Sequence, residues 1–219
     1  MYSRPVGLLA GPPAAVLCMP VTAHGERSLY DDLRQRIESY GVAVRCEPLG
    51  AEQPARFDGL SITVSPGYDL EARSHYLAHS LGSIAAWLLD PGGTAPLYRE
   101  LREAKAQRDV DLERLERAVA AFCRFEERTS EYAVWLLAEA GHPEAIAGYT
   151  NFFRADLAAM AEFHRHGVAP VWREFLAAWN GRARRGEQEV RPFHPRPIPP
   201  FEPRRIELQE VHREEDGKS

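Results

Sequence analysis

The stretch from Leu97 to about Ala140 constrains the fold most, because its only regular order is helical. Leu112, Leu115, Val119 and Phe122 recur at steps of three and four, the spacing of one face of an α-helix. Helix breakers come only afterwards, at Gly141 and Pro143. The Glu/Arg run from Arg99 to Arg117 alternates in sign, which predicts a solvated helix face carrying i,i+4 ion pairs. A chain that spends so much of itself on helix must be organised by helix packing.

Other helices are predicted on either side. Ser28 is placed as an N-cap, with Asp31 three residues on, ahead of Leu29, Leu33, Ile37 and Tyr40 at helical spacing and a stop at Gly41. Asp69 caps a helix running to about Leu89, closed by Asp90-Pro91-Gly92-Gly93. Another spans about Thr150 to His166, with Phe153, Leu157 and Met160 as its buried line. A last one follows Pro170 and carries Trp172, Phe175, Leu176 and Trp179, read as core. Between the first two helices, Val42–Cys46 and Leu60–Val64 read as strands, the second with Leu60, Ile62 and Val64 on one face, and Arg56-Phe57-Asp58-Gly59 reads as a turn. The expected fold is α+β and mostly helical, with a small antiparallel or mixed sheet beside one helix and further helices towards the C-terminus.

Composition divides the chain. Residues 1–27 are rich in Gly, Pro and Ala without a period and are expected to form a flexible arm; Val6 to Val21 is apolar, but Pro12, Pro13 and Pro20 break it as a signal segment. Residues 28–140 form the main domain and 141–181 a helical extension packed on it. The tail, 182–219, opens with Arg182, Arg184 and Arg185. Pro192, Pro195, Pro197, Pro199, Pro200 and Pro203 follow, which predicts an extended, polyproline-like course, either as a recognition element or as a strap across the domain. The last dozen residues are charged and expected to be disordered. A net charge of −5 argues against a nucleic-acid partner. No run of about 18 apolar residues exists to span a membrane. Three widely spaced cysteines fit free thiols in a reducing cytoplasm, with Cys123 in the core.

The segment Arg73–Ser83 carries the most chemical information. His75 and His79 stand four apart and so share a helix face, the usual floor of a zinc site. A hydrolase also needs a carboxylate base beside the metal-bound water. After the first histidine comes Tyr76, protonated at neutral pH and a poor base. The plainer reading is that both are ordinary helix histidines, one bonded to a backbone carbonyl.

The string Leu77-Ala78-His79-Ser80-Leu81-Gly82-Ser83 resembles the LAHELGH motif of the ImmA/IrrE family of zinc metallopeptidases. Leu77, Ala78, His79, Leu81 and Gly82 match; Ser80 replaces the catalytic Glu and Ser83 the second zinc-ligating His. The order of helix, strands and motif helix is similar to the family's, Asp58-Gly59 corresponds to its turn before a strand, and Tyr132-Ala133-Val134-Trp135-Leu136-Leu137 resembles its downstream F-A-x-x-L-L pattern. Counting back from there to the family's third ligand lands on Arg128, with Glu126, Glu127 and Glu131 as neighbours. The resemblance covers about residues 28–140. It implies a degenerate peptidase scaffold that acts as a protein- or peptide-binding regulatory module, with a transcriptional regulator as the kind of partner. The alternative is an active zinc-dependent peptidase with rearranged ligands, in which His75 and His79 are joined by Glu126, Glu127 or Glu131.

Elsewhere, His164 and His166 are read as cations at a helix C-terminus. No glycine-rich phosphate loop or nucleophile elbow occurs.

Overall fold

The structure, a computed structural model, describes residues 28–49, 53–168 and 171–206. The expectations placed on residues 1–27 and beyond 206 lie outside these. The fold is α+β and mostly helical: α1 (Leu29–Ser39), β1 (Ala43–Cys46), β2 (Ala55–Phe57), β3 (Ser61–Val64), α2 (Leu70–Leu89), α3 (Pro91–Ala106), α4 (Leu112–Glu139), α5 (Ile146–His166) and α6 (Trp172–Arg184). A short 3-10 turn, Pro143–Ala145, leads into α5.

Local chemistry sets most boundaries. Ser28 caps α1, its hydroxyl oxygen accepting from the Asp31 amide at 3.2 Å, and Gly41 beyond the helix adopts φ +80°. Asp69 caps α2 by accepting from the Ala72 amide at 2.8 Å. The three strands form one mixed sheet in the order β1-β3-β2, with β1 parallel and β2 antiparallel to β3. Arg56 and Phe57 therefore belong to a strand, and the turn narrows to Asp58-Gly59. Asp58 Oδ1 pins it by accepting from the amides of Leu60 and Ser61. All four residues of β3 are buried while Leu60 is exposed, so the expected one-faced alternation fails. The reason is position: β3 has a strand on each edge, and α2 lies against it.

Three helix boundaries also differ from expectation. Asp90 ends α2 but immediately caps α3 through the Gly93 amide, so Pro91-Gly92-Gly93 begins a helix instead of separating two. The long helical stretch then breaks at Gln107–Asp111, where Asp111 caps α4 by accepting from the Arg114 amide at 2.8 Å. This turns α4 back along α3, and Arg114 reaches Glu100 and Glu103 across the pair. Leu112, at the exposed start of α4, leaves the predicted stripe to Leu115, Val119 and Phe122. Finally, α6 runs through Gly181 and stops at Gly186, φ +68°. Its Phe175, Leu176 and Trp179 are only half-buried, because α6 packs chiefly on α5.

The core is built around α2, which touches α1, α3, α4, β2 and β3 and is buried on nearly every side between Ser74 and Trp87. Its closest neighbour is α4. A Cβ placed on Gly82 would stand 2.3 Å from the Thr129 carbonyl oxygen, so only glycine lets the two backbones come this near. A second, smaller apolar cluster sits between α3, α4 and α5, around Leu101, Leu115, Phe122 and Ala161. Arg108, from the turn between α3 and α4, donates to the His164 carbonyl at 3.1 Å and caps α5. His164 itself is held against Phe122 and Phe163, and burial pushes its pKa down to about 4. Arg108 thus brings a cation to this helix end; of the two histidines that the sequence placed there, His164 is buried against aromatic rings and His166 lies 3.3 Å from Glu162.

The proline-rich tail crosses the body as an extended strap. Phe193, Ile198 and Ile206 are buried in the main core cluster, and Phe201 stacks on Tyr40 with ring centroids 5.7 Å apart.

Candidate functional site

His79 points from the middle of α2 into the junction of α2, α4 and α5. Its Nε2 lies 3.1 Å from Glu126 Oε2 on α4, and its Nδ1 lies 3.1 Å from the Tyr149 hydroxyl on α5. The ring stacks face to face on Phe153, centroids 4.0 Å apart. A carboxylate only accepts, so the proton is assigned to Nε2, and Nδ1 then accepts from Tyr149. Further links extend the network at both ends. The Tyr98 hydroxyl adjoins Glu126, and Ser130 adjoins the Tyr149 hydroxyl. The His79 side chain is 15% exposed and that of Glu126 9%, while Tyr149 is fully buried. Burial holds the phenols of Tyr98 and Tyr149 protonated, their pKa values well above the usual range.

Asp156, two turns beyond Tyr149 on α5, joins the same neighbourhood. Burial pushes its carboxyl up to about 7; His79 works against that rise and Glu126 adds to it. His75 occupies the adjacent turn of α2 on the same face, where it meets aromatic rings and, among the described residues, no carboxylate. It lies edge-on to Tyr149 and tilted against Phe152, its Nδ1 has no hydrogen-bond partner among the described residues, and burial pushes its pKa down to about 4. Tyr76 packs edge-on against Phe152 and Phe153, and burial raises its pKa, which removes it as a base.

The residues chosen from sequence are therefore separated. Glu127 is taken by Arg154, and Glu131 by Arg196 at 2.9 Å. Arg128 lies 3.5 Å from Asp90 and over the Phe125 ring. Of the three carboxylates near the expected ligand position, only Glu126 meets an imidazole. In this structure Glu127 and Glu131 do not meet His75 or His79: a helix turns about 100° per residue, so neighbouring residues of α4 face different sides. Ser80 is buried without a carboxylate to offer, and Ser83 donates to the His79 carbonyl at 3.1 Å within α2.

Comparison with protein-family models, with curated proteins and with solved structures finds no match. The site must then be judged on its own chemistry.

A zinc ion, as the resemblance implies, does not fit these residues. Both ring nitrogens of His79 are engaged by protein groups, and His75 turns into an aromatic pocket. Among the described residues, no three of His, Cys, Asp and Glu converge as a cation would need. What the arrangement can do is fix orientation: Glu126, His79 and Tyr149 tie three helices together through hydrogen-bonded polar groups. Sequence reasoning missed Tyr149 and Asp156 and read Phe153 as core alone, although a signal existed. Their spacings of four and three put them on one face of α5. Glu126 and Ser130 share a face of α4 in the same way.

Proposed function

We propose that this chain is a degenerate ImmA/IrrE-like metallopeptidase domain that works as a protein- or peptide-binding regulatory module in the cytoplasm, with a transcriptional regulator as the class of partner. The observation that carries the reading is the fate of His79. The one motif histidine retained is locked between Glu126 and Tyr149, and the position after it holds a buried serine. Peptide hydrolysis by the metal route needs a ligated cation and a carboxylate base; here the base is missing and the ligand is committed to the core. The free, half-buried thiol of Cys123 suits a reducing compartment. No described helix is long and apolar enough to cross a membrane.

Metal analysis of protein purified from zinc-replete medium tests this directly. The expected content is well below one zinc per chain, with no cleavage of repressor-type protein substrates. Stoichiometric zinc that disappears in His79→Ala, together with proteolysis, would overturn the reading.

A further inference from the structure

The strap formed by residues 191–206 shows what its own seat is built to hold. Three apolar side chains, Phe193, Ile198 and Ile206, enter the body and are at most 7% exposed. Between them the contacts are with aromatic rings, one carboxylate and the Arg154 guanidinium. Phe193 lies under the Arg154 guanidinium at 4.1 Å and beside Tyr149. Arg196 pairs with Glu131 and passes over the Tyr132 ring, and Phe201 stacks on Tyr40. Two glycines shape the far end: a Cβ on Gly41 would stand 3.2 Å from Pro203, and one on Gly59 would collide with the Arg204 carbonyl at 2.1 Å. Aromatic steps beside a carboxylate are the chemistry that receives proline-rich, arginine-bearing segments, which arrive already extended and lose little entropy on docking. The strap's main chain is tied to the body at few points, one of them the Arg191 carbonyl, which accepts from Arg154 Nε at 3.0 Å. Among the described residues, its amides bond the body at Arg196, to the Glu131 carbonyl, and at Ile206, to the Asp58 carbonyl. Its prolines have no amide to give.

We propose that the surface beneath residues 191–206 is a docking groove for an extended, proline-rich, arginine-containing segment of another protein, and that the strap is its resident occupant. The strap's own pattern of Phe193, Arg196, Ile198 and Phe201 defines the ligand. Held on the same chain, it competes at high effective concentration, so an incoming segment binds to the extent that it displaces the strap. The inference rests on the strap's contacts and stands whether or not the peptidase kinship does.

The test uses the full chain carrying Phe193→Ala and Ile198→Ala and a fluorescent peptide of residues 190–206. Fluorescence anisotropy should show the double variant binding the peptide at least tenfold more tightly than the unaltered chain. Adding Glu131→Arg to the double variant should weaken that binding, and a scrambled peptide should not bind. Equal affinity of the unaltered chain and the folded double variant overturns the proposal, as does equal binding of the scrambled peptide. If the double variant does not fold, hydrogen exchange of the unaltered chain decides. The Arg196 and Ile206 amides should exchange at least tenfold faster than those of Ile62 and Val64 in β3, and exchange at the β3 rate overturns the proposal. Sedimentation of the unaltered chain should show a monomer. A dimer that the peptide dissociates would reassign the groove to the strap of a second copy and overturn the claim of a foreign partner.

Discussion

A histidine with a carboxylate on one nitrogen and a phenol on the other is fixed in tautomer and in tilt, and His79 gains both partners from helices other than its own. Asp156 is the group in this neighbourhood whose charge is least well supported. Burial lifts its carboxyl to about 7, above the ordinary value near 4. The sign follows from proton linkage. The folded state holds this proton more tightly than the unfolded chain, so the contribution is full below about pH 4 and is lost as pH rises through about 7. Asp156→Asn should therefore gain on the unaltered protein across that window, by about 2 kcal/mol at pH 8; the residue as a whole is half-buried, which keeps the gain below what full burial would produce. Urea unfolding at pH 5 and pH 8 measures it, and parallel behaviour at the two pH values would show that Asp156 does not titrate there. His75 acts with the opposite sign. Its pKa is depressed to about 4, so its contribution is present above the ordinary value near 6.5 and is lost as pH falls towards 4.

Among the elements, the close approach of α2 and α4 decides where every polar partner of His79 can stand. Gly82→Ala should force the helices apart at Thr129 and destabilise the fold by about 1–3 kcal/mol, read by chemical denaturation. At the α3–α4 break, Asp111→Ala removes the side-chain acceptor of the Arg114 amide and should cost about 1 kcal/mol. That break also marks what was legible in the sequence. Caps with a fixed chemical signature, Ser28 and Asp69, could be read directly, as could the apolar rhythm of α1 and most of α4. The break at Asp111 could not, because the charged run on either side keeps helical character and only the packing of α3 on α4 requires the reversal. The same limit applies to the site. His79 stood out by its motif. Counting along α4 landed on Arg128, two residues from the carboxylate that His79 meets; Glu126 stood among three candidates, and only the packing of α4, at about 100° per residue, separates it from Glu127 and Glu131. The half-buried state of α6 was equally hidden, since its aromatic line looks like core until its neighbours are known.

In the whole molecule, the strap and α2 contribute in different ways. Leu81 sits at the centre of α2 with no exposure, and Leu81→Ala should cost about 2–5 kcal/mol. Ile198 is buried almost as deeply, but it stands in the extended segment outside the helices. Ile198→Ala should accordingly cost under about 2 kcal/mol of global stability while loosening the strap's amides. Thermal unfolding of the two variants, paired with hydrogen exchange, separates a side chain that holds the core from one that holds a cover.

The bond from the Ile206 amide to the Asp58 carbonyl has a practical corollary. A fusion tag or reporter joined after residue 206 would emerge next to the β2–β3 hairpin, far along the sequence from α6. Label pairs intended to follow strap release are accordingly best placed at residue 206 and in that hairpin, where lifting the segment would change their separation most.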